Sequence, residues 1–154
     1  MSSQSLKWNG PALTAKMRQA QKIGVNATME RAVVHAVSNH NWQNRTGILE
    51  GSIGIAEFAR DEGAGVVGTW GSKALDYARI HELGGVIVPV RAKALAIPQP
   101  DGSVRFVKSV TIPARPYLRP AADAIYPQLT GNIRKAFETL SGPSGASDGG
   151  VSDA

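Results

Sequence analysis

The chain reads as an α+β protein: a long N-terminal helix, a small antiparallel β-sheet, a C-terminal helix and a disordered C-terminal tail. Three observations carry that reading. Apolar residues step by three and four along residues 11–40, and again along 121–140. Between those stretches, alternation of period two recurs over 47–58 and 104–112. The first pattern marks a helix face and the second a pleated strand. The third is a closing stretch of small and polar residues, SGPSGASDGGVSDA, which cannot repay the entropy of ordering itself. A length of 154 residues suits one domain, placed at 11–140, with a flexible arm at 1–10 and the tail at 141–154.

In chain order, Pro11 sits where a first helical turn tolerates a missing N–H. Leu13, Met17, Ala20, Gly24, Ala27 and Val34 form the expected buried stripe, widened by Val25, Met29 and Val33. Gly24 and Asn26 are weak helix formers, which leaves room for a kink or break there. A helix of about 30 residues runs about 45 Å. A domain of this size spans about 35–40 Å, so such a helix matches or overhangs it and asks for a partner. Turn formers in NHNWQNRTG close the helix. GILEGSIGIAEF is then a strand, with Leu49, Gly51, Ile53 and Ile55 on one face. RDEGAG is a turn and VVGTW a second strand. Residues 77–83 suit one or two helical turns, ended by Gly84 and Gly85. VIVPV is a strand, with Pro89 marking an edge or bulge. ALAI and VRFVKSVTI form a hairpin about Asp101-Gly102. Prolines follow Ile112, Arg115 and Arg119, and push each of these out of the α region. Residues 112–119 are therefore a stiff corner, with the last helix starting at Pro120. Pro127 kinks or restarts that helix.

Several chemistries are disfavoured. The absence of cysteine removes disulfides, thiolate metal sites and a cysteine nucleophile, and fits an intracellular setting. No apolar run reaches the ~18–20 residues of a membrane helix, and the opening residues lack a signal peptide's apolar segment. HELGG, at 81–85, has glycine where a zinc-protease motif needs its second histidine. His35 and His40 are five apart and misaligned on a helix. No GxSxG elbow is present, and GAGVVG precedes its strand, unlike a phosphate-binding loop. The reading is of a protein that is not an enzyme, with no catalytic, cofactor or metal residues.

Charge is uneven: +5 over residues 1–45, −3 over 46–90, +5 over 91–140 and −2 over the tail. This layout suits nucleic acid, or a copy whose acidic middle meets another copy's basic ends. Aromatic residues are only 6%, too few for a single-strand stacking platform. In the corner, arginine and tyrosine are types favoured as interface anchors, and prior stiffness lowers the entropy lost on docking. Arg115, Tyr117, Leu118 and Arg119 are thus candidate interface residues. A second reading stands beside it, in which Tyr117 and Leu118 only clamp the last helix onto its own sheet. On the first helix, Lys16, Arg18 and Lys22 are candidates for facing DNA in a lumen, or simply a solvated face.

KSVTIPARPYLRPA, at 108–121, resembles the signature end of the phage virion-morphogenesis and tail-completion proteins. TGILEGSI (46–53), YARIHELGG (77–85) and KALAIP (93–98) resemble further segments of that family in the same order. Glu50 departs from the family, standing where a basic residue is common, and the last fourteen residues have no counterpart. The resemblance implies a non-enzymatic, ring-forming tail-completion or head–tail connector subunit at the neck of a tailed phage. A homo-oligomeric ring, hexameric or dodecameric, would touch neighbouring connector and tail terminator or tube proteins, with non-specific contact to phage DNA in the channel. It needs no cofactor and no membrane, and it is expected in the host cytoplasm during assembly and in the virion afterwards. Alternatives are a tail terminator-type ring capping the tube, or a basic DNA-binding accessory protein.

Overall fold

The computed structural model describes residues 8–43, 47–73 and 76–142. The expected N-terminal arm, apart from residues 8–10, and the expected tail beyond 142 lie outside the described residues. The elements run α1 (Gly10–Ser38), α2 (Ile48–Ser52), β1 (Ile53–Glu62), β2 (Gly65–Ser72), α3 (Asp76–Leu83), β3 (Gly85–Ile87), β4 (Leu95–Pro98), β5 (Val104–Val107), β6 (Val110–Ile112) and α4 (Leu118–Ile125). A 3-10 turn at Tyr126–Gln128 then leads into α5 (Leu129–Ser141). This is the α+β order expected, with long helices at either end.

Helix α1 is the spine, 29 residues without a break. It does not break at its two weak helix formers, Gly24 and Asn26, which have tertiary jobs. At Gly24 a Cβ would lie 2.8 Å from the backbone N and Cα of Ile133, so α5 crosses α1 at that point. Asn26 reaches the other side, where its Oδ1 accepts the Ala59 N–H at 2.8 Å. Ala59 falls in a register shift of β1, between Glu57↔Thr69 and Arg60↔Val67. The side chain thus replaces a ladder bond that the bulge forgoes.

The buried stripe of α1 is also displaced from the expected one. Ala20, Gly24, Thr28, Met29, Ala32 and Ala36 are buried. Leu13, Met17 and Val34 are exposed. Small residues let α5 and the β1–β2 ribbon approach from two sides, so the larger side chains stay outside. Thr28 Oγ1 donates to the Gly24 carbonyl at 2.7 Å and accepts from Asn132 Nδ2 at 2.9 Å. On the last helices the expected face holds: Ala121 and Ile125 are buried, and Leu129, Ile133, Phe137 and Leu140 are half-buried. Pro127 restarts the helix through the 3-10 turn.

Residues 48–52 are helical, where a strand was expected. Gly47 adopts φ +69 and opens the turn, and its carbonyl accepts the Gly51 N–H at 2.8 Å. Leu49 and Ile53 are then both buried, at helical spacing. In place of one small sheet there are three antiparallel ribbons: β1–β2, β3–β6 and β4–β5. The expected return strand 104–112 divides at Lys108-Ser109. Its first half pairs with β4 and its second with β3. Helix α4 begins at Leu118, two residues before the expected Pro120. The main cluster of buried residues joins Ala36, Leu49, Ile53, Ala78, Tyr117 and Ala121 at the C-terminal end of α1.

Candidate functional site

The proline corner is built against the end of α3. Gly84 closes that helix at φ +71, and its N–H donates to the Ile80 carbonyl at 2.8 Å. A Cβ on it would come 2.8 Å from the Ala114 nitrogen. Glycine is therefore needed both for conformation and for closeness. Strand β3 pairs Gly85 with Ile112, which brings the corner back beside α3. The Arg115 N–H then donates to the His81 carbonyl at 2.7 Å.

The decisive contact comes from Glu82. Its carboxylate accepts the N–H groups of Tyr117 (2.7 Å), Leu118 (3.0 Å) and Arg119 (2.9 Å). A helix start leaves its first N–H groups without intrahelical partners. Tyr117, the residue before α4, makes no side-chain cap of its own. An acid 35 residues earlier in the chain supplies the cap, and its charge also suits the positive end of the helix.

Tyr117 lies beneath this cap with 0% exposure. Its ring meets Trp42 edge-on with centroids 4.8 Å apart, and Trp42 stacks on His40 at 3.9 Å. The His81 ring stands 6.2 Å from Trp42. The turn after α1 thus fills the space under the corner.

The four corner candidates separate. Arg115 and Arg119 are exposed, Leu118 is half-buried against the core, and Tyr117 is wholly inside. Of the two readings of Tyr117, contact with a neighbouring chain is corrected and the inward clamp holds, because its buried ring packs on Trp42. Arg119 Nε lies 3.5 Å from Asp123 Oδ2, an exposed pair that leaves the guanidinium open to other contacts.

The helix candidates are also redirected. Arg18 Nη1 donates to the Gly65 carbonyl at 2.6 Å, and its Nε is 3.7 Å from Asp61. Lys22 Nζ donates to Asp61 Oδ2 at 3.2 Å. Both tie the tip of the β1–β2 ribbon to α1. Arg60 lies between Glu57 (2.7 Å) and Glu62 (2.9 Å), and the Glu57 hydrogen bond and charge hold its pKa above the ordinary value. The ribbon's acids Glu57, Asp61 and Glu62 thus have cationic partners within the chain, in exposed pairs. Lys16 is half-buried.

Sequence reasoning passed over the role of Glu82 and, in a hairpin it did expect, an exposed apolar face. The only signal for Glu82 was a helix start with no Ser, Thr, Asp or Asn to cap it. The strands of the β4–β5 hairpin pack chiefly on each other. Its cross-strand pairs put Ala96, Phe106, Pro98 and Val104 on one face, and all four are exposed. At its tip the Ser103 hydroxyl and N–H both donate to Asp101, holding that carboxyl below its usual range. Among the described residues no group of His, Asp and Glu gathers in a way that could hold a metal ion, and no helix is long and apolar enough to cross a membrane.

No protein-family model, curated protein or solved structure matches the chain.

Proposed function

We propose that the chain is a structural subunit of a tailed-phage particle, a ring-forming tail-completion or head–tail connector protein at the neck. One observation carries the assembly part of this reading. Among the described residues six of the eleven buried hydrophobic side chains are alanines, and Tyr117 is the one large side chain fully buried. Trp8, Phe58, Val90 and Phe106 meanwhile stand 79%, 63%, 94% and 70% exposed. Phe106 shares one exposed face with Ala96, Pro98 and Val104, and a contiguous apolar patch marks a site of association. The corner supports the same reading: the Glu82 cap fixes it in advance, and Arg115 and Arg119 project from it. The likeness of residues 108–121 to the tail-completion signature supplies the particle.

The test is to image intact particles and to assemble neck complexes with the Arg115→Glu variant. The chain is expected at the junction of portal and tail. The variant is expected to remain folded and to lose its place in the complex. Particles that lack the chain at the neck would overturn the proposal; normal assembly of the variant would remove the corner from the interface.

The alternative of a DNA-binding accessory protein has its own support in Arg91, Lys93, Arg105 and Lys108, all exposed on or beside the β4–β5 hairpin. Under that reading the free protein retains duplex DNA with a steep salt dependence.

A further inference from the structure

The net charge of the molecule sits in one stretch of chain. Of 17 basic and 12 acidic residues, residues 83–122 hold six and one, a net +5. The remainder, with eleven of each sign, is neutral. Arg18, Lys22 and Arg60 each meet an acid of the β1–β2 ribbon. At the corner, Asp123 lies 3.5 Å from Arg119, and the Glu82 carboxylate holds the N–H groups of residues 117–119. The surplus is not offset in this way along the β4–β5 hairpin. Arg91, Lys93, Arg105 and Lys108 are exposed there, and among the described residues none of them has an ion pair.

Strand pairing gathers three of these four cations at the base of the hairpin. Ile87 pairs with Val110, and Leu95 with Val107. Val107 and Val110 are three residues apart in sequence, roughly 10 Å at the rise of a strand. The excursion 88–94, which carries Arg91 and Lys93, therefore leaves and rejoins the ribbons on either side of Lys108. Arg105 pairs with Ile97, two residues or about 7 Å up the strand from that base. The one acid of residues 83–122, Asp101, lies at the far end, in the turn. There the Ser103 hydroxyl and N–H hold its carboxyl below the usual range. The hairpin thus has a cationic base and an anionic tip.

We infer that the cationic base of the β4–β5 hairpin seats on the phosphate backbone of duplex DNA, by charge and without reading sequence. This rests on the reading of the chain as one that contacts DNA, and it names the surface that does so. A duplex carries one negative charge about every 1.7 Å and sheds condensed counterions wherever a protein cation replaces them. A few exposed, unpaired cations on a weakly braced ribbon are therefore enough. A folded acidic protein would instead need a shaped counter-surface, packed as closely as a protein interior. Single strands are held chiefly by bases stacked on aromatic rings. Phe106, the one aromatic residue of the hairpin, lies on the face opposite Arg105. The ionised Asp101 opposes entry of the tip into a groove, so the hairpin lies with its base against the backbone.

The full-length protein is titrated into two labelled duplexes of unrelated sequence, with fluorescence anisotropy as the readout, from about 50 to about 200 mM salt. Four phosphate contacts predict a log–log slope of about −3.6, roughly a hundredfold loss of affinity over that range, equal for both duplexes. Arg91→Gln, Lys93→Gln, Arg105→Gln and Lys108→Gln should each reduce the slope by about 0.9. The fourfold variant, checked for fold by circular dichroism, should lose binding. Arg134→Gln, which removes an exposed cation on α5, and Phe106→Ala should leave the slope unchanged. Binding that survives the fourfold variant, or falls equally with Arg134→Gln, would overturn the hairpin as the surface and leave the DNA reading standing. A preference for one duplex, or weaker binding by Phe106→Ala, would overturn a contact made by phosphates alone. Displacement of the duplex by polyglutamate at equal charge concentration would overturn DNA in favour of an acidic protein. No retention of either duplex at about 50 mM salt would overturn this inference together with the DNA reading, while particle imaging decides the neck placement separately.

Discussion

At the scale of single residues, Glu82 holds the corner in place. Three backbone N–H groups converge on its carboxylate, and no neighbouring side chain can substitute for it. Glu82→Gln keeps the shape but loses the charge and half of the accepting oxygens. Glu82→Ala leaves all three donors to water that reaches a half-buried site poorly. A lost cap costs about 0.5–2 kcal/mol and a hydrogen bond to a charged group about 1.5–3 kcal/mol. Glu82→Ala should therefore destabilise by about 2–3 kcal/mol and Glu82→Gln by about 1 kcal/mol. Urea unfolding followed by circular dichroism would show lower midpoints with an unchanged slope. A Glu82→Ala midpoint equal to that of the parent would mean that the cap contributes nothing. Glu57→Gln, on an exposed pair with Arg60, serves as the control and should leave the midpoint nearly unmoved.

At the scale of elements, two glycines in helices should respond in opposite directions to the same change. Glycine to alanine in a helix interior gains about 1 kcal/mol of propensity. On α5, a Cβ added at Gly131 would meet nothing within 4 Å, so Gly131→Ala should stabilise by about 0.5–1 kcal/mol. Gly24 sits on the backbone of Ile133, and backbone cannot move aside as a flexible side chain can. Gly24→Ala should destabilise by about 1–3 kcal/mol as α1 and α5 are forced apart. Thermal unfolding of the two variants would show the split; a rise in Tm for both would mean that the helices do not meet at Gly24. The same residue shows what local patterns can and cannot tell. Propensity marked Gly24 and Asn26 as a weak point, whereas both serve partners more than 30 residues away in sequence. Apolar stepping located the inward face of α5, which packs on one neighbour, but misplaced that of α1, which packs on two. Alternation found the residues of the ribbons without their pairing, because pairing depends on the path of the chain between them. The prolines of the corner were legible as stiffness. That Tyr117 points inward stood only as one of two readings, since the choice depends on Trp42 arriving from the end of α1.

At the scale of the whole molecule, stability should be divided between a body and an appendage. Helix α1 is held on one side by α4 and α5 and on the other by β1–β2, so its central amides open only with the body. The β4–β5 hairpin has four residues in each strand and packs chiefly on itself. An isolated two-stranded ribbon is marginal in water. Amide exchange of the free protein should therefore find the hairpin amides of residues 95–107 among the fastest in regular structure, and those of residues 20–32 among the slowest. On assembly through its apolar face the hairpin should become protected while the middle of α1 changes little, because the α1 amides are already closed by the body. This pattern separates docking from general stabilisation, which would slow both regions together. Hairpin amides as protected as α1 in the free protein would place the ribbon inside the cooperative body, and its apolar face would then need no partner for order.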